Sequence, residues 1–405
     1  MSEKRKDSKG RLLRTGEQQR ADGRYLYAYK NKSGKTAYAY SWRLEPTDKL
    51  PVGKKSCLSL REKEKQIQKD MEDGVAYRGG DYTVIELVKR YISTRTGVRH
   101  NTRAGYKTAV NLLEKEDFGN NRIDEVKVSD AKLWLIKLQS EDGKSYSSIQ
   151  SLRGVVRPAF QMAVDDDLIR KNPFNWELGK TLINDSIARQ AVKPKQEKSF
   201  MEFIQNDKHY SQYYEAMYIL FKTGIRISEF CGLTLADVDL KRRKINIDKQ
   251  LQRTREGEYL IEDTKSTYGE RTLPMEEDVY QCFTKLIAKR KKLKKEPVVD
   301  GVSGFLVFDK NNKPYVANHW EKRFQYALGK YNRTYKDQLP EITPHVCRHT
   351  YCTNMARKGI APKTLQYLMG HADIATTLNV YTHIYYEDAE KEVKKLGRKK
   401  IAVGE

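Results

Sequence analysis

The chain has 405 residues, 38% of them hydrophobic and 32% charged, which suits cores for two to three domains. Its formal net charge of +23 implies an anionic partner, of which nucleic acid is the commonest. No run of about 18 apolar residues exists, so no transmembrane helix is expected. Five scattered cysteines (Cys57, Cys231, Cys282, Cys347 and Cys352), with no Cys-x-x-Cys pair, argue against a disulfide framework or zinc module.

Residues 1–22 read as a basic polar arm, and the opening MSEKRKDSKGR has no apolar core of a secretory signal, so a soluble cytoplasmic protein is expected. From Gly23 to Trp42, Tyr25, Tyr27 and Tyr29 alternate, and so do Tyr38, Tyr40 and Trp42, either side of Asn31-Lys32-Ser33-Gly34. Period-two aromatics flanking a glycine-containing turn predict a hairpin. A third strand is expected near Cys57–Leu58. Ser59 and Glu62, in capping-box spacing, open a helix that runs to about Asp73. Residues 1–80 hold 20 Lys and Arg against 11 Asp and Glu, a net of +9. A basic, aromatic sheet of this kind can enter a DNA groove, and Arg24, Tyr25, Tyr27 and Tyr40 are its candidate contacts; a dimerisation module is the alternative.

Gly79-Gly80 marks a linker. From Tyr82 to Phe174 apolar residues recur at helical spacing, with Thr83 ahead of the first helix and further helices at about 101–115, 129–140 and 145–166, capped by Asn101, Ser129 and Ser145. Arg95, Arg99, Arg103, Lys107, Arg153 and Arg157 lie on them. They form either a solvated face or a phosphate-tracking one, and all but Arg95 are taken as DNA contacts. Residues 179–198, with Lys193-Pro194-Lys195, read as a second linker. The segment 199–398 mixes helices at about 199–206, 210–223, 227–233, 276–296, 317–334, 345–358, 361–369, 374–378 and 384–395 with strands Lys244–Ile247, Tyr259–Ile261, Arg271–Pro274 and Phe305–Phe308. The expected domains are 1–75, 76–178 and 199–398, with a tail at 399–405. The fold class is multidomain α+β: a three-stranded sheet plus helix, an all-α domain, and a mainly helical domain with a small antiparallel sheet.

Four segments of the last domain carry chemistry. In Thr223-Gly224-Ile225-Arg226-Ile227-Ser228-Glu229, Gly224 breaks one helix and Arg226 projects from the junction. Thr264-Lys265 through Leu273-Pro274 reads as a β-hairpin with Lys265 near its tip. In Thr343-Pro344-His345-Val346-Cys347-Arg348-His349-Thr350, His345 and Arg348 share a face beside a helix start that favours an anion. In Leu368-Met369-Gly370-His371, Gly370 closes a helix; Tyr381 follows ten residues after His371. Each segment alone is weak, since surface arginines and hairpin lysines are common.

As a set they resemble the tyrosine recombinase (phage integrase) family, whose pattern is Arg, Lys, His-x-x-Arg, His or Trp, then Tyr. Here the positions are Arg226, Lys265, His345, Arg348, His371 and Tyr381. The resemblance covers about residues 82–395, and the N-terminal module looks like the arm-binding domain of integrases from Gram-positive conjugative transposons. It implies that Tyr381 attacks phosphorus and forms a 3′-phosphotyrosyl bond. Arg226 and Arg348 would hold the non-bridging oxygens, Lys265 would protonate the 5′-oxygen, and His345 and His371 would support proton transfer. Tyr385 and Tyr386 lie outside the family spacing. No cofactor or metal is implied. The partners implied are double-stranded DNA (core and arm sites at element ends, and target DNA), a homotetramer around a Holliday junction, and an excisionase, with no membrane. A helix after Tyr381 bearing Val393 and Leu396 would dock on a neighbour or on its own domain. The rival readings are an Xer-like resolvase, against which the N-terminal module argues, and a silent DNA-binding regulator, against which the complete catalytic set argues.

Overall fold

The computed structural model describes residues 5–30, 36–54, 56–72, 82–186, 190–264 and 267–381. It divides into two compact units, Met1–Ile187 and Ala188–Glu405. The hairpin turn at 31–34, Lys265, the helix expected at 384–395 and the tail lie outside the described residues.

The N-terminal module is a three-stranded antiparallel sheet, β1 (Glu17–Gln19), β2 (Tyr25–Lys30) and β3 (Thr36–Ser41), in the order β1-β2-β3, followed by helix α1 (Leu60–Glu72). The third strand therefore precedes the hairpin; none forms at Cys57–Leu58, where Ser41 Oγ instead donates to Leu58 O at 2.6 Å. The expected arm is also corrected. Lys6 bridges Leu12, and buried Asp7 accepts from the Arg11 backbone and guanidinium, both at 2.8 Å. Among the described residues, the buried apolar core of this module is the small cluster of Tyr25, Leu44 and Leu60, which ion pairs supplement. Enclosed Glu17, for example, meets Arg61 at 2.9 Å. Ser59 and Glu62 close the expected capping box at 2.8 and 3.3 Å.

Four helices follow: α2 (Val84–Ser93), α3 (His100–Leu113), α4 (Val128–Ser140) and α5 (Tyr146–Asp165). Thr83 and Glu86 box the start of α2. Ser145 caps α5, but α3 starts from Arg99 and α4 from Lys127, whose N–H donates to Asp130 at 2.9 Å, so Asn101 and Ser129 are not the caps. The core is built on Phe118 stacked against Trp134 at 4.3 Å, with Phe160 and Phe174 beside them.

In the second unit, helix α6 (Pro194–Asn206) begins with Pro194 in its first turn, so the linker expected to reach residue 198 ends earlier. Helices α7 (Tyr214–Thr223) and α8 (Ile227–Gly232) lead into β4 (Val238–Asp239), β5 (Lys244–Ile247), β6 (Lys249–Arg253), β7 (Tyr259–Asp263) and β8 (Arg271–Pro274). The sheets are β4-β5-β8 and β6-β7, so β7 and β8 do not pair, and the expected hairpin around Lys265 is instead a connection between two sheets. Phe305–Phe308 makes only isolated bridges, from Phe305 to Thr234 and from Phe308 to Pro314. Helices α9 (Glu277–Ala288), α10 (Ala317–Thr334), α11 (Pro344–Arg357), α12 (Pro362–Met369) and α13 (Ile374–Tyr381) complete it. Its core is built on Phe200, Phe221, Phe283, Trp320 and Phe324.

Candidate active site

Arg226 is placed by a glycine. Gly224 ends α7 in the left-handed region at φ +63°, and a Cβ there would fall 2.5 Å from the Tyr351 ring, so no other residue fits without displacement. The chain then turns and Arg226 becomes the N-cap of α8. Its backbone N–H donates to Glu229 at 2.9 Å and its Nη1 to the same carboxylate at 2.6 Å. Its Nη2 reaches across 144 residues of sequence to donate to Gly370 O at 2.8 Å.

Arg348 lies on α11, whose start is fixed by Thr343 accepting from Val346 N–H at 3.3 Å. Arg348 is buried; it donates to Gly224 O at 2.8 Å and to Met369 O. A third guanidinium completes the cluster. Arg271 of β8 donates from Nε to Leu368 O at 2.9 Å, from Nη1 to Gly269 O at 2.8 Å, and from Nη2 to Glu229 Oε2 at 2.9 Å. The end of α12 thus receives three cations. This is where a helix leaves its last carbonyls unpaired and where its dipole favours positive charge.

These side chains, three guanidinia around one buried carboxylate, carry a net charge of +2. Burial alone would raise the pKa of Glu229, but Arg271, then Arg226, outweigh it and hold the carboxyl below its ordinary range. Burial, then Arg226, disfavours the charged form of Arg348, whose guanidinium nevertheless keeps its proton at working pH. An anion arriving among these groups relieves that cost. His371 follows Gly370, which is left-handed at φ +60°. Burial, then Arg348, Arg226 and Arg271, pushes the His371 pKa down to about 4, so its ring is neutral near pH 7. Its Nδ1 lies 3.0 Å from the Thr377 hydroxyl.

The structure brings Arg226, Arg348 and His371 together around the α12 end. His345 and Arg348, though one turn apart on α11, differ in burial: Arg348 is enclosed and His345 exposed at the helix start. Tyr381 ends α13 and packs beside Cys352, Ala356 and Leu365, with its hydroxyl donating to Ile360 O at 2.5 Å. Burial, then Cys352, pushes its pKa above the ordinary phenol value. In this state the tyrosine hydrogen-bonds to Ile360 and not to the arginine cluster.

The register of the N-terminal sheet sorts the DNA-contact candidates by face. Tyr27 pairs with Ala39 and Leu26 with Tyr40, so Tyr25 and Tyr27 lie on one face and Tyr38 and Tyr40 on the other. Tyr25 is corrected from a groove contact to a core residue: it is 3% exposed, with its hydroxyl donating to Asp7 at 3.0 Å. Half-buried Tyr27 packs against that core and stacks on Tyr29. On the opposite face Arg20 and Arg24 lie 5.6 Å from the Tyr40 ring, and Arg24 lies 5.7 Å from Trp42. In the helical domain Arg103 and Lys107 are exposed one turn apart on α3, and Arg99 is half-buried at its start. Arg157 is exposed and donates to Asn175 at 2.9 Å. Arg153 is largely committed internally: it donates to Phe174 O at 2.6 Å and to Trp176 O, and lies over the Trp176 ring.

Two residues of the cluster, Glu229 and Arg271, were given no role by their sequence context. The signal for Arg271 was a strand alternation that sets it on the buried face with Leu273, where a charge requires an enclosed partner.

Residues 190–388 match the phage integrase family and residues 1–71 match the DNA binding domain of Tn916 integrase. The chain belongs to the phage integrase family and is a tyrosine site-specific recombinase. It is 45% identical to the transposase from transposon Tn1545 of Streptococcus agalactiae over 99% of this chain and 98% of that one. It is 44% identical, with the same coverage, to the transposase from transposon Tn916 of Enterococcus faecalis. The Tn1549 transposon integrase, solved in complex with a circular intermediate DNA, superposes with a TM-score of 0.73 at 41% identity, covering 78% of this chain and 99% of the solved one.

Proposed function

We propose that this recombinase integrates and excises a conjugative transposon, cutting DNA through Tyr381. Tyr381 releases Ile360 O, loses its proton and bonds to phosphorus. The bond from phosphorus to the 5′-oxygen breaks, and that oxygen takes a proton from Lys265. Arg226 and Arg348 turn their forks onto the two non-bridging oxygens, where charge develops. Neutral His371 donates one hydrogen bond to the same phosphate, and His345 supports proton transfer from the start of α11. The reverse attack by a 5′-hydroxyl of the partner strand reseals the backbone, so the phosphodiester energy is conserved in the protein–DNA bond.

The observation that carries this reading is the convergence of Arg226 and Arg348 on the turn that holds His371. The N-terminal module, residues 1–75, binds arm sites through the face bearing Arg24 and Tyr40, while residues 76–178 and 199–398 hold the core site. Strand exchange between two duplexes calls for four protomers and a Holliday junction, assisted by an excisionase during excision, in the cytoplasm. A nicked suicide duplex carrying the transposon end tests the proposal. A covalent complex should form and should vanish in Tyr381→Phe; no covalent species on any end sequence would favour a silent regulator.

A further inference from the structure

Leu368, Met369 and Gly370 end α12, and each of their carbonyls accepts from a different arginine: Arg271, Arg348 and Arg226 in that order. Two of those arginines belong to the phosphate clamp proposed above. The third does not. The Arg271 side chain has no exposed surface, and its donors go to Leu368 O, Gly269 O and both oxygens of Glu229. No face of it is left for DNA.

A phosphate entering the site competes for Arg226 and Arg348, because their carbonyl partners accept from the same donors that a phosphate would take. It does not compete for Arg271. The bond from Arg271 to Glu229 therefore persists during the reaction, and Glu229 is the carboxylate that orients Arg226 through both its backbone and its Nη1. We infer that Arg271 is a positioning residue of the reaction: it anchors Glu229 and the end of α12, and so keeps the Arg226 fork aimed while that fork is on the phosphate. The inference rests on the reading of Arg226 as a clamp residue.

Lysine at this position would keep the charge but not the fork, and could not reach Glu229, Leu368 O and Gly269 O together. Misaiming a reacting group by about 1 Å costs on the order of 10²-fold in rate. The test uses the full-length protein, single-turnover cleavage, and two kinds of scissile linkage. One is the ordinary phosphodiester. The other is a methylphosphonate, in which a methyl group replaces one non-bridging oxygen and removes its charge, taken as each separate diastereomer. An arginine that faces the replaced oxygen matters less on that substrate.

Arg226→Lys and Arg271→Lys are each compared with the unaltered protein on every linkage. The ratio of rates on two linkages is read within one preparation, so a partly unfolded variant does not distort it. The expected result is that Arg271→Lys slows phosphodiester cleavage by about 10²-fold, and that its defect shrinks on the same diastereomer that relieves Arg226→Lys. If Arg226→Lys is relieved but Arg271→Lys is equally slow on every linkage, Arg271 only supports the fold and the inference is overturned. If neither variant is relieved on either diastereomer, the clamp reading of Arg226 fails and the inference falls with it.

Discussion

Arg271 in the catalytic unit is enclosed and bonds only to protein oxygens, whereas Arg24 in the N-terminal module is only half-buried, lying over Tyr40 and Trp42. Both are arginines on or beside a strand of a three-stranded antiparallel sheet. In the catalytic unit the cations are desolvated and their field is barely screened, so a small displacement changes a rate. On the N-terminal face they keep their water, pair with Asp22 at 2.7 Å and lie on rings. Each such contact is worth little, and affinity comes from their number. One arrangement suits chemistry at a single phosphate; the other suits holding a long anion.

The sharpest way to break this comparison is Arg226→Lys. Removing one aimed donor should slow cleavage by about 10²–10³-fold and leave the affinity for the duplex nearly unchanged. Single-turnover cleavage and a binding titration measure the two separately. Equal losses in both would mean that the buried cluster, too, acts mainly as a tether.

Arg153 tests the middle ground, because it is both stacked on Trp176 and bonded to carbonyls. Arg153→Ala should cost on the order of 1–3 kcal/mol of stability in the helical domain, through lost charged hydrogen bonds and packing. A melting curve reads this directly. Unchanged melting with weakened DNA binding would return Arg153 to the groove-facing class.

His371 gives the comparison a pH axis. Its folded pKa of about 4 lies below the ordinary value of 6.5, so the unfolded chain binds the proton more readily. Stability is therefore full above about pH 6.5, declines as the pH falls toward 4, and levels off below it. After discounting for partial exposure to solvent, the loss is on the order of 1–2 kcal/mol. His371→Gln should flatten that slope. A bound phosphate should raise the pKa, so DNA binding near pH 5.5 should take up a proton, measurable by calorimetry in two buffers of different ionisation heat.

The candidate site residues were legible as an ordered set, since each segment alone is weak; what each segment supplied was a local placement, Gly224 before Arg226, Thr343-Pro344 before Arg348 and Gly370 before His371. Their convergence was not, because the bonds joining them span up to 144 positions. Periodicity found most helices, and α10 at its observed bounds. It missed the pairing of β5 with β8 and of β6 with β7, since strand partners are chosen by tertiary packing. The tyrosines of the N-terminal sheet show the limit most plainly. Alternation marks Tyr25, Tyr27, Tyr38 and Tyr40 alike, but the register pairs odd positions with odd and even with even, and so sends them to opposite faces.

That register yields the smallest and most specific expectation. Arg24→Ala removes one half-buried cation from the face bearing Tyr40, so arm-site affinity should fall by about 1 kcal/mol or less and the slope of log affinity against log salt should drop by about 1. Tyr27→Phe, which removes a hydroxyl from the core-packed face, should leave that slope unchanged. If instead the tyrosine change alters the slope and the arginine change does not, DNA lies on the other side of the sheet. The contrast between exposed recognition and buried chemistry would then need to be drawn through α1.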